Sequence, residues 1–284
     1  MIRNIASFDE CCAFVNDFYK DPQFSDPMLQ NEEQLKWNLC KRIDAPGDDL
    51  ASGVYEGEKL IGIFVFLREK EQMYLEMLVG LSREKAAYEQ ILAYLQDNYP
   101  NNRVDFVFNP NNHLLKELLM EKKADFYPEQ QKMVLKAFVP GSDTSGVQLL
   151  SPNNVQAYFD IHNQDMYWTG EKVAAAQDRF RTFLAIDQGK VVGYLDVTYT
   201  FDENEPFDLL VLPEYRRKGW GRKLLAKALE MNEPKGMMLL VNVDNEPAIK
   251  LYSSMGFEKE EGSNSLLAQW NVQEKPNGYI AKNE

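Results

Sequence analysis

Apolar positions along this chain alternate between two rhythms, a period of two or a short unbroken run for strands and a three-to-four spacing for helices. In the second half, a helix is expected from Pro152 to about Asp165, with Ser151 as cap and Pro152 at the first helical position. A shorter helix follows around Glu171 to Phe180. Strands at Thr182 to Ile186 and Val191 to Thr200 flank Asp187-Gln188-Gly189-Lys190, a hairpin-length turn containing glycine. A strand at Phe207 to Leu212, a helix from Gly219 to about Asn232, a strand at Met237 to Val243 and a helix at Glu246 to Met255 come next. Strands near Phe257 and at Leu266 to Val272 close the half.

The first half repeats that order. Helices are expected at Phe8 to Phe18 and Glu32 to Arg42, then a hairpin turning at 56–59 into Leu60 to Leu67. Strand Met73 to Val79, helix Arg83 to Gln96, strand Val104 to Phe108, helix His113 to Lys122 and strand Gln131 to Leu135 follow. Leu75 and Leu209 lie 134 positions apart, and Phe126 and Phe257 lie 131 apart, so one offset relates the halves with a drift of three. Residues 140–146, Pro-Gly-Ser-Asp-Thr-Ser-Gly, cluster turn formers and read as the linker. The expected division is therefore a domain over 1–140, a linker over 141–146 and a second domain over 147–284. Alternating strands and helices place both in the α/β class.

A chain of 284 residues with 44% hydrophobic and 26% charged residues has ordinary globular composition, which excludes disordered and fibrous classes. The longest apolar stretches, such as Ile61 to Leu67, are too short to span a bilayer. The N-terminal segment has no apolar core after Arg3 and does not read as a secretory signal. Cys11, Cys12 and Cys40 form neither a disulfide framework nor a zinc spacing, so a reducing, cytoplasmic setting is expected. Net charge is −13, divided as −8 over residues 1–146 and −5 over 147–284. Neither half carries the basic excess that binding a nucleic-acid backbone needs. No nucleic-acid or membrane partner is expected.

One short segment departs from this acidic background. Leu209-Leu210-Val211 ends a strand, and Arg216-Arg217-Lys218-Gly219-Trp220-Gly221-Arg222 leads into a helix. Glycines admit close approach of a ligand to the backbone. Free amides at a helix start favour an anionic group such as a pyrophosphate. Neither the nucleotide-hydrolase P-loop nor the dinucleotide fingerprint is present. The spacing Arg216-x-x-Gly219-x-Gly221 resembles the acetyl-CoA loop of the GNAT N-acetyltransferase superfamily, Gln/Arg-x-x-Gly-x-Gly/Ala. About 25 residues on, Asn245-x-x-Ala248-x-x-Leu251-Tyr252-x-x-x-Gly256-Phe257 resembles the family's second signature. The resemblance covers Gly146 to Val272. It implies a mixed, mostly antiparallel sheet flanked by helices, with two central strands splayed to admit acetyl-CoA. At the matching places the first half has Gly80-Leu-Ser-Arg83-Glu84-Lys85-Ala86-Ala87 and Asn109-Pro-Asn-Asn112-His113, without the glycine loop. It reads as a degenerate copy in a tandem GNAT protein.

The resemblance implies direct acetyl transfer to a primary amine in a ternary complex. Such an amine, with a pKa of about 10.4, must lose a proton before attack, and the departing thiolate gains from an acid. Tyr252 stands at the family's acid position; packing against the sheet is its other reading. Asn245 either contacts the cofactor or caps the following helix. For the base, Asp208 and Glu205 lead over Glu203 and Asp196, with Glu205 sharing a face with Leu209 and Asp208 on the other. Backbone groups of Leu209, Leu210 and Val211 are expected to hold the pantetheine arm, and the basic loop from Arg216 to Arg222 the phosphates. Tyr167 and Trp168, between the first two helices of the half, are expected to receive the acceptor, either by cation–π contact or as loop residues packed on the core. His113 and His162 are read as helix residues without a catalytic role. A small-molecule amine is the expected partner. A protein N-terminus or lysine, and a non-catalytic acyl-CoA binder, are the alternatives.

Overall fold

Strand β3 (Lys59–Glu69) shows why the first half folds as it does. Its run Ile61 to Phe66 is apolar without alternation because both faces are covered: Ile61, Phe64 and Phe66 enter one core and Ile63 and Val65 another. The computed structural model describes residues 1–18, 21, 23, 32–44, 47–138, 140–164 and 168–273. They fall into two units, Met1–Gln130 with Gly262–Glu284, and Gln131–Glu261.

In chain order the first unit holds β1 (Ile2–Asn4), α1 (Cys12–Phe18), α2 (Glu32–Asp44), β2 (Leu50–Glu56), β3 (Lys59–Glu69), β4 (Tyr74–Leu81), α3 (Lys85–Asn98), β5 (Arg103–Phe108), α4 (His113–Glu121) and β6 (Asp125–Phe126). Strands β1 to β4 pair antiparallel, β4 pairs parallel with β5, and β5 pairs antiparallel with the end of the last strand, at Leu266 to Asn271. Helices α3 and α4 cover one face around Phe66, Tyr88, Phe106 and Trp270, while α1 and α2 cover the other around Val15, Leu39 and Val79.

The second unit follows with β7 (Gln130–Leu135), β8 (Val147–Leu149), α5 (Val155–Phe159), α6 (Gly170–Ala175), β9 (Phe180–Asp187), β10 (Lys190–Thr198), β11 (Glu203–Asn204), β12 (Pro206–Val211), α7 (Trp220–Asn232), β13 (Gly236–Asn242), α8 (Glu246–Ser253) and β14 (Phe257–Asn271). Strands β8, β9, β10 and β12 form an antiparallel sheet; β14, β7, β13 and β11 are neighbours in that order. Period-two alternation sorts β9 and β10. Phe183, Ala185, Leu195 and Val197 meet α7 and α8, and Leu184 and Tyr194 meet Tyr158 of α5. Both halves are thus mixed α/β layers, as the repeat implied. Among the described residues no helix is long and apolar enough to cross a membrane.

Three expectations change. The cut at 141–146 falls inside the second unit, which takes the chain from Gln131. There the linker is tied down: Lys223 pairs with Asp143 at 2.8 Å and donates to Ser145 Oγ at 2.9 Å. The helix from Pro152 is only Val155–Phe159, because Asn154 caps it and spends its Oδ1 on the Ser151 amide. The two closing strands are one, β14, with residues up to Glu261 in the second unit and those from Gly262 in the first.

Candidate active site

Two strands part in the second unit, and a pair of asparagines fixes the point of parting. Strand β11 runs parallel to β13 at Glu203↔Gly236 and Asn204↔Met237. From Pro206 the chain pairs with β10 as β12 and belongs to the other sheet. The fully buried Asn204 donates to Asn232 Oδ1 at 2.8 Å and to the Phe201 carbonyl at 2.9 Å. Asn232 in turn donates to the Lys235 and Gly236 carbonyls, both at 2.9 Å. Beyond this clip β12 and β13 diverge, and Leu209, Leu210 and Val211 are left half-buried on β12.

The basic loop lies at the far end of β12. Gly219 caps α7 with φ +87°, a left-handed conformation that L side chains rarely adopt, and a Cβ there would meet nothing within 4 Å. The first intrahelical bond joins the Lys223 amide to the Gly219 carbonyl at 3.0 Å, so the amides of Trp220, Gly221 and Arg222 have no partner in the helix. Open space before three such donors, with Arg217 and Lys218 exposed beside them, suits a pyrophosphate. The remaining loop residues do other work. Arg216 folds back to donate from Nε to the Val211 carbonyl at 2.9 Å. Trp220 lies against Gly146, and Gly221 lets α7 approach Leu251. Arg222 reaches Ser254 Oγ at 2.5 Å.

The second motif is largely structural. Asn245 caps α8 by accepting from the Ala248 amide at 3.3 Å. Gly256 has φ +95°, and a Cβ there would sit 1.9 Å from the Ala137 carbonyl oxygen, so no side chain fits. Tyr252 is buried beside Phe257, and among the described residues its hydroxyl makes no hydrogen bond. Burial, with the charge of Asp208 added, pushes its pKa up to about 12.

On the opposite face of the β10–β12 ladder lies a polar network that spacing in the sequence does not reveal. Asp196, fully buried, accepts from Thr182 Oγ1 at 2.6 Å, from the Tyr158 hydroxyl at 2.9 and 3.1 Å, and faces His162 Nε2 at 3.1 Å. The other ring nitrogen of His162 meets the Asn163 carbonyl at 2.8 Å, and its ring stacks on Tyr194 with centroids 4.7 Å apart. Tyr194 donates to Asp208 Oδ2 at 2.6 Å. Burial raises the Asp208 pKa, the Tyr194 hydrogen bond counters it, Asp196 raises it further and His162 lowers it; the net direction is up. Polar atoms of His162, Asp196 and Asp208 lie within 4.8 Å of one another. Asp196 already accepts from two hydroxyls, however, so the trio is built to hold protons rather than a metal ion.

Of the expected base candidates, Asp196 and Asp208 are both in this network. Glu205 sits at the bulge where β12 leaves β10 register, its amide donating to Thr198 Oγ1 at 2.7 Å and its carbonyl accepting from the Thr198 amide at 2.9 Å. Trp168 packs edge-on to Phe180, with Arg179 over its ring, in line with the packed-loop reading. Tyr167 lies outside the described residues. In the first unit, Asn112 caps α4 as Asn245 caps α8, accepting from Leu115 at 3.2 Å. There Ser82 binds the Glu84 amide at 2.9 Å, and Arg83 is held by Asp17 and Asp21 at 2.7 and 2.9 Å.

Residues 178–259 match the model of the acetyltransferase (GNAT) domain family. The chain is 32% identical over 96 residues to the [ribosomal protein bS18]-alanine N-acetyltransferase of Escherichia coli K12. That match takes in 32% of this chain and 65% of the relative's length, just under two thirds. A GCN5-related N-acetyltransferase structure from Sphaerobacter thermophilus superposes with a TM-score of 0.71 at 14% identity, covering 97% of this chain and 96% of that one. A tandem GNAT protein from the clavulanic acid biosynthesis pathway gives 0.56 at 13% identity, covering 80% and 84%. The likeness in fold thus runs through both halves, while the family's motifs sit in the second. The split strands, the glycine-capped loop and the second signature accompany this similarity: residues 178–259 match the GNAT acetyltransferase domain, and the chain as a whole shares the fold of the solved GNAT structures.

Proposed function

We propose that this protein is a cytoplasmic, acetyl-CoA-dependent N-acetyltransferase that works through its second unit and acetylates a primary amine by direct attack. The observation that carries the reading is the division of labour around β12. The glycine-capped loop offers three free amides to a pyrophosphate at its end, and Asp208 brings a carboxylate to the opposite face, with Oδ1 accepting no hydrogen bond among the described residues. The thioester supplies an activated acetyl group. Asp208 takes a proton from the bound ammonium. The freed nitrogen lone pair attacks the thioester carbonyl, the carbon–sulfur bond breaks as the Tyr252 hydroxyl protonates the departing sulfur, and the nitrogen sheds its second proton to solvent while the Tyr252 phenolate regains one. Backbone groups of Leu209 to Val211 steady the pantetheine arm. The first unit, with no Arg-x-x-Gly-x-Gly spacing at the matching loop and two carboxylates on Arg83, supports a single acetyl-CoA site per chain.

A second reading is transfer to a protein N-terminus, favoured by the similarity to an enzyme named for ribosomal protein alanine. A thiol-release assay with acetyl-CoA and a panel of small mono- and polyamines, lysine peptides and alanine-initiated peptides separates the two. Release with small amines is expected; release confined to alanine-initiated peptides would replace the small-molecule reading. Acetyl-CoA binding without release for any amine would make the chain a non-catalytic binder.

A further inference from the structure

Asp208 does not stand alone, and the group that governs it is a histidine the sequence marks as ordinary. Both nitrogens of His162 point at acceptors. The Asn163 carbonyl can only accept, and Asp196 already receives the Tyr158 and Thr182 hydroxyls, which marks it as an ionised carboxylate. Only the doubly protonated ring satisfies both contacts, and the side chains of His162 and Asp196 are wholly buried. The imidazolium lies flat on Tyr194, whose hydroxyl clamps Asp208 and itself receives the Asn163 amide at 3.3 Å. We infer that His162 is a positioning residue for acetyl transfer: as an imidazolium stacked on Tyr194, it keeps the half-buried Asp208 ionised and aimed to take the acceptor's proton.

The charge count explains why such a group is needed. Asp196 and Asp208 face each other as paired positions of the β10–β12 ladder. A buried carboxylate facing a half-buried one at that spacing favours protonation of one of them, and a protonated Asp208 cannot act as base. The titratable groups around Asp208 are Tyr194 and Asp196 on β10, Tyr158 on α5, His162 in the turn after it, and Tyr252 on α8. Among the described residues His162 is the one cation of this group. Burial alone would neutralise the ring; the Asp196 hydrogen bond, the Asn163 carbonyl and the field of Asp208 outweigh it and raise its pKa above the ordinary histidine value.

This inference rests on the acetyltransferase reading, but its first test does not need turnover. The chain has two histidines, so imidazole nitrogen NMR of uniformly labelled protein, with His113→Gln for assignment, gives the charge state of His162 directly. An imidazolium at pH 7.5 is expected, and a neutral ring there overturns the proposal whether or not any amine is acetylated. The second test is the pH profile of kcat/KM for His162→Gln, which keeps a hydrogen-bonding side chain but no charge. Its acid limb is expected about one pH unit or more above that of the wild type, with the alkaline plateau and the KM for acetyl-CoA retained. An unshifted limb with kcat lowered at every pH would reduce His162 to packing and overturn the proposal. If His162→Gln does not fold, the nitrogen spectrum of the wild-type protein decides alone. An inactive wild type whose ring is charged would refute the enzyme reading and leave the ring's state established.

Discussion

Asp196 and Asp208 are directly opposed across the β10–β12 ladder, yet one is saturated and the other is not. Asp196 receives two hydroxyls and the His162 ring, whereas among the described residues Asp208 receives Tyr194 alone. In the proposed mechanism that contrast leaves the fold to Asp196 and the chemistry to Asp208. Asp196→Ala leaves two buried hydroxyls and a buried cation without their acceptor, a loss of about 3–5 kcal/mol. Against a typical total of about 5–15 kcal/mol, chemical denaturation should show the second unit gravely weakened. Asp208→Asn should unfold at or above the wild-type denaturant concentration.

The sign of the pH effect at Asp208 follows from the raised pKa. A carboxyl whose folded-state pKa lies above its unfolded value stabilises the fold fully below the unfolded value. That contribution is lost as pH rises through the folded value. Ionised Asp208 therefore weakens the fold at neutral pH. Thermal melts should show Asp208→Asn more stable than wild type near pH 7.5, with the gap closing as the pH falls through the raised folded value toward about 4. A variant less stable at pH 7.5 would mean that the ionised carboxylate is a net structural asset.

Gly219 tests the loop. Its φ of +87° makes Gly219→Ala cost about 1–2 kcal/mol even though nothing crowds the new methyl. The methyl also enters the open space before the Trp220, Gly221 and Arg222 amides. Calorimetric titration should give one acetyl-CoA site per wild-type chain and an affinity at least about tenfold weaker in the variant. Two equivalent sites would show that the first unit also binds.

Tyr252→Phe keeps the buried ring against Phe257 and removes only the hydroxyl. With a pKa of about 12 the phenol stays protonated throughout the assay range and can give its proton to sulfur. Turnover should fall by roughly 10²–10⁴ with the acetyl-CoA dissociation constant unchanged. Equal loss of affinity would make the hydroxyl a binding contact.

Most elements and the loop were legible in the sequence because their signals are local. A run such as Ile61 to Phe66 needs two covered faces, and Gly219 between Lys218 and Trp220 announces a capped, basic helix start. The His162 network was not legible, since its members come from α5, β9, β10 and β12, and only the packing of α5 on one face of β10 brings Tyr158 and His162 to Asp196. The short α5 matters here too: it ends at Phe159, and His162 reaches Asp196 from the turn beyond it. That β7 belongs to the second unit was equally hidden. Met133 and Phe257 are simply apolar in the sequence, and nothing in their spacing says that they share the second unit's core.

The central claim is that Asp208 accepts the proton of an amine attacking acetyl-CoA held by the Gly219 loop. The most direct test is amine-dependent thiol release measured side by side for wild type and Asp208→Asn, with acetyl-CoA affinity determined on the same samples. The account predicts one thiol released per amine acetylated by the wild type. The variant should bind acetyl-CoA equally well and release thiol about 10²–10⁴ times more slowly. A variant as fast as the wild type, or a wild type that binds acetyl-CoA and acetylates no amine, would contradict it.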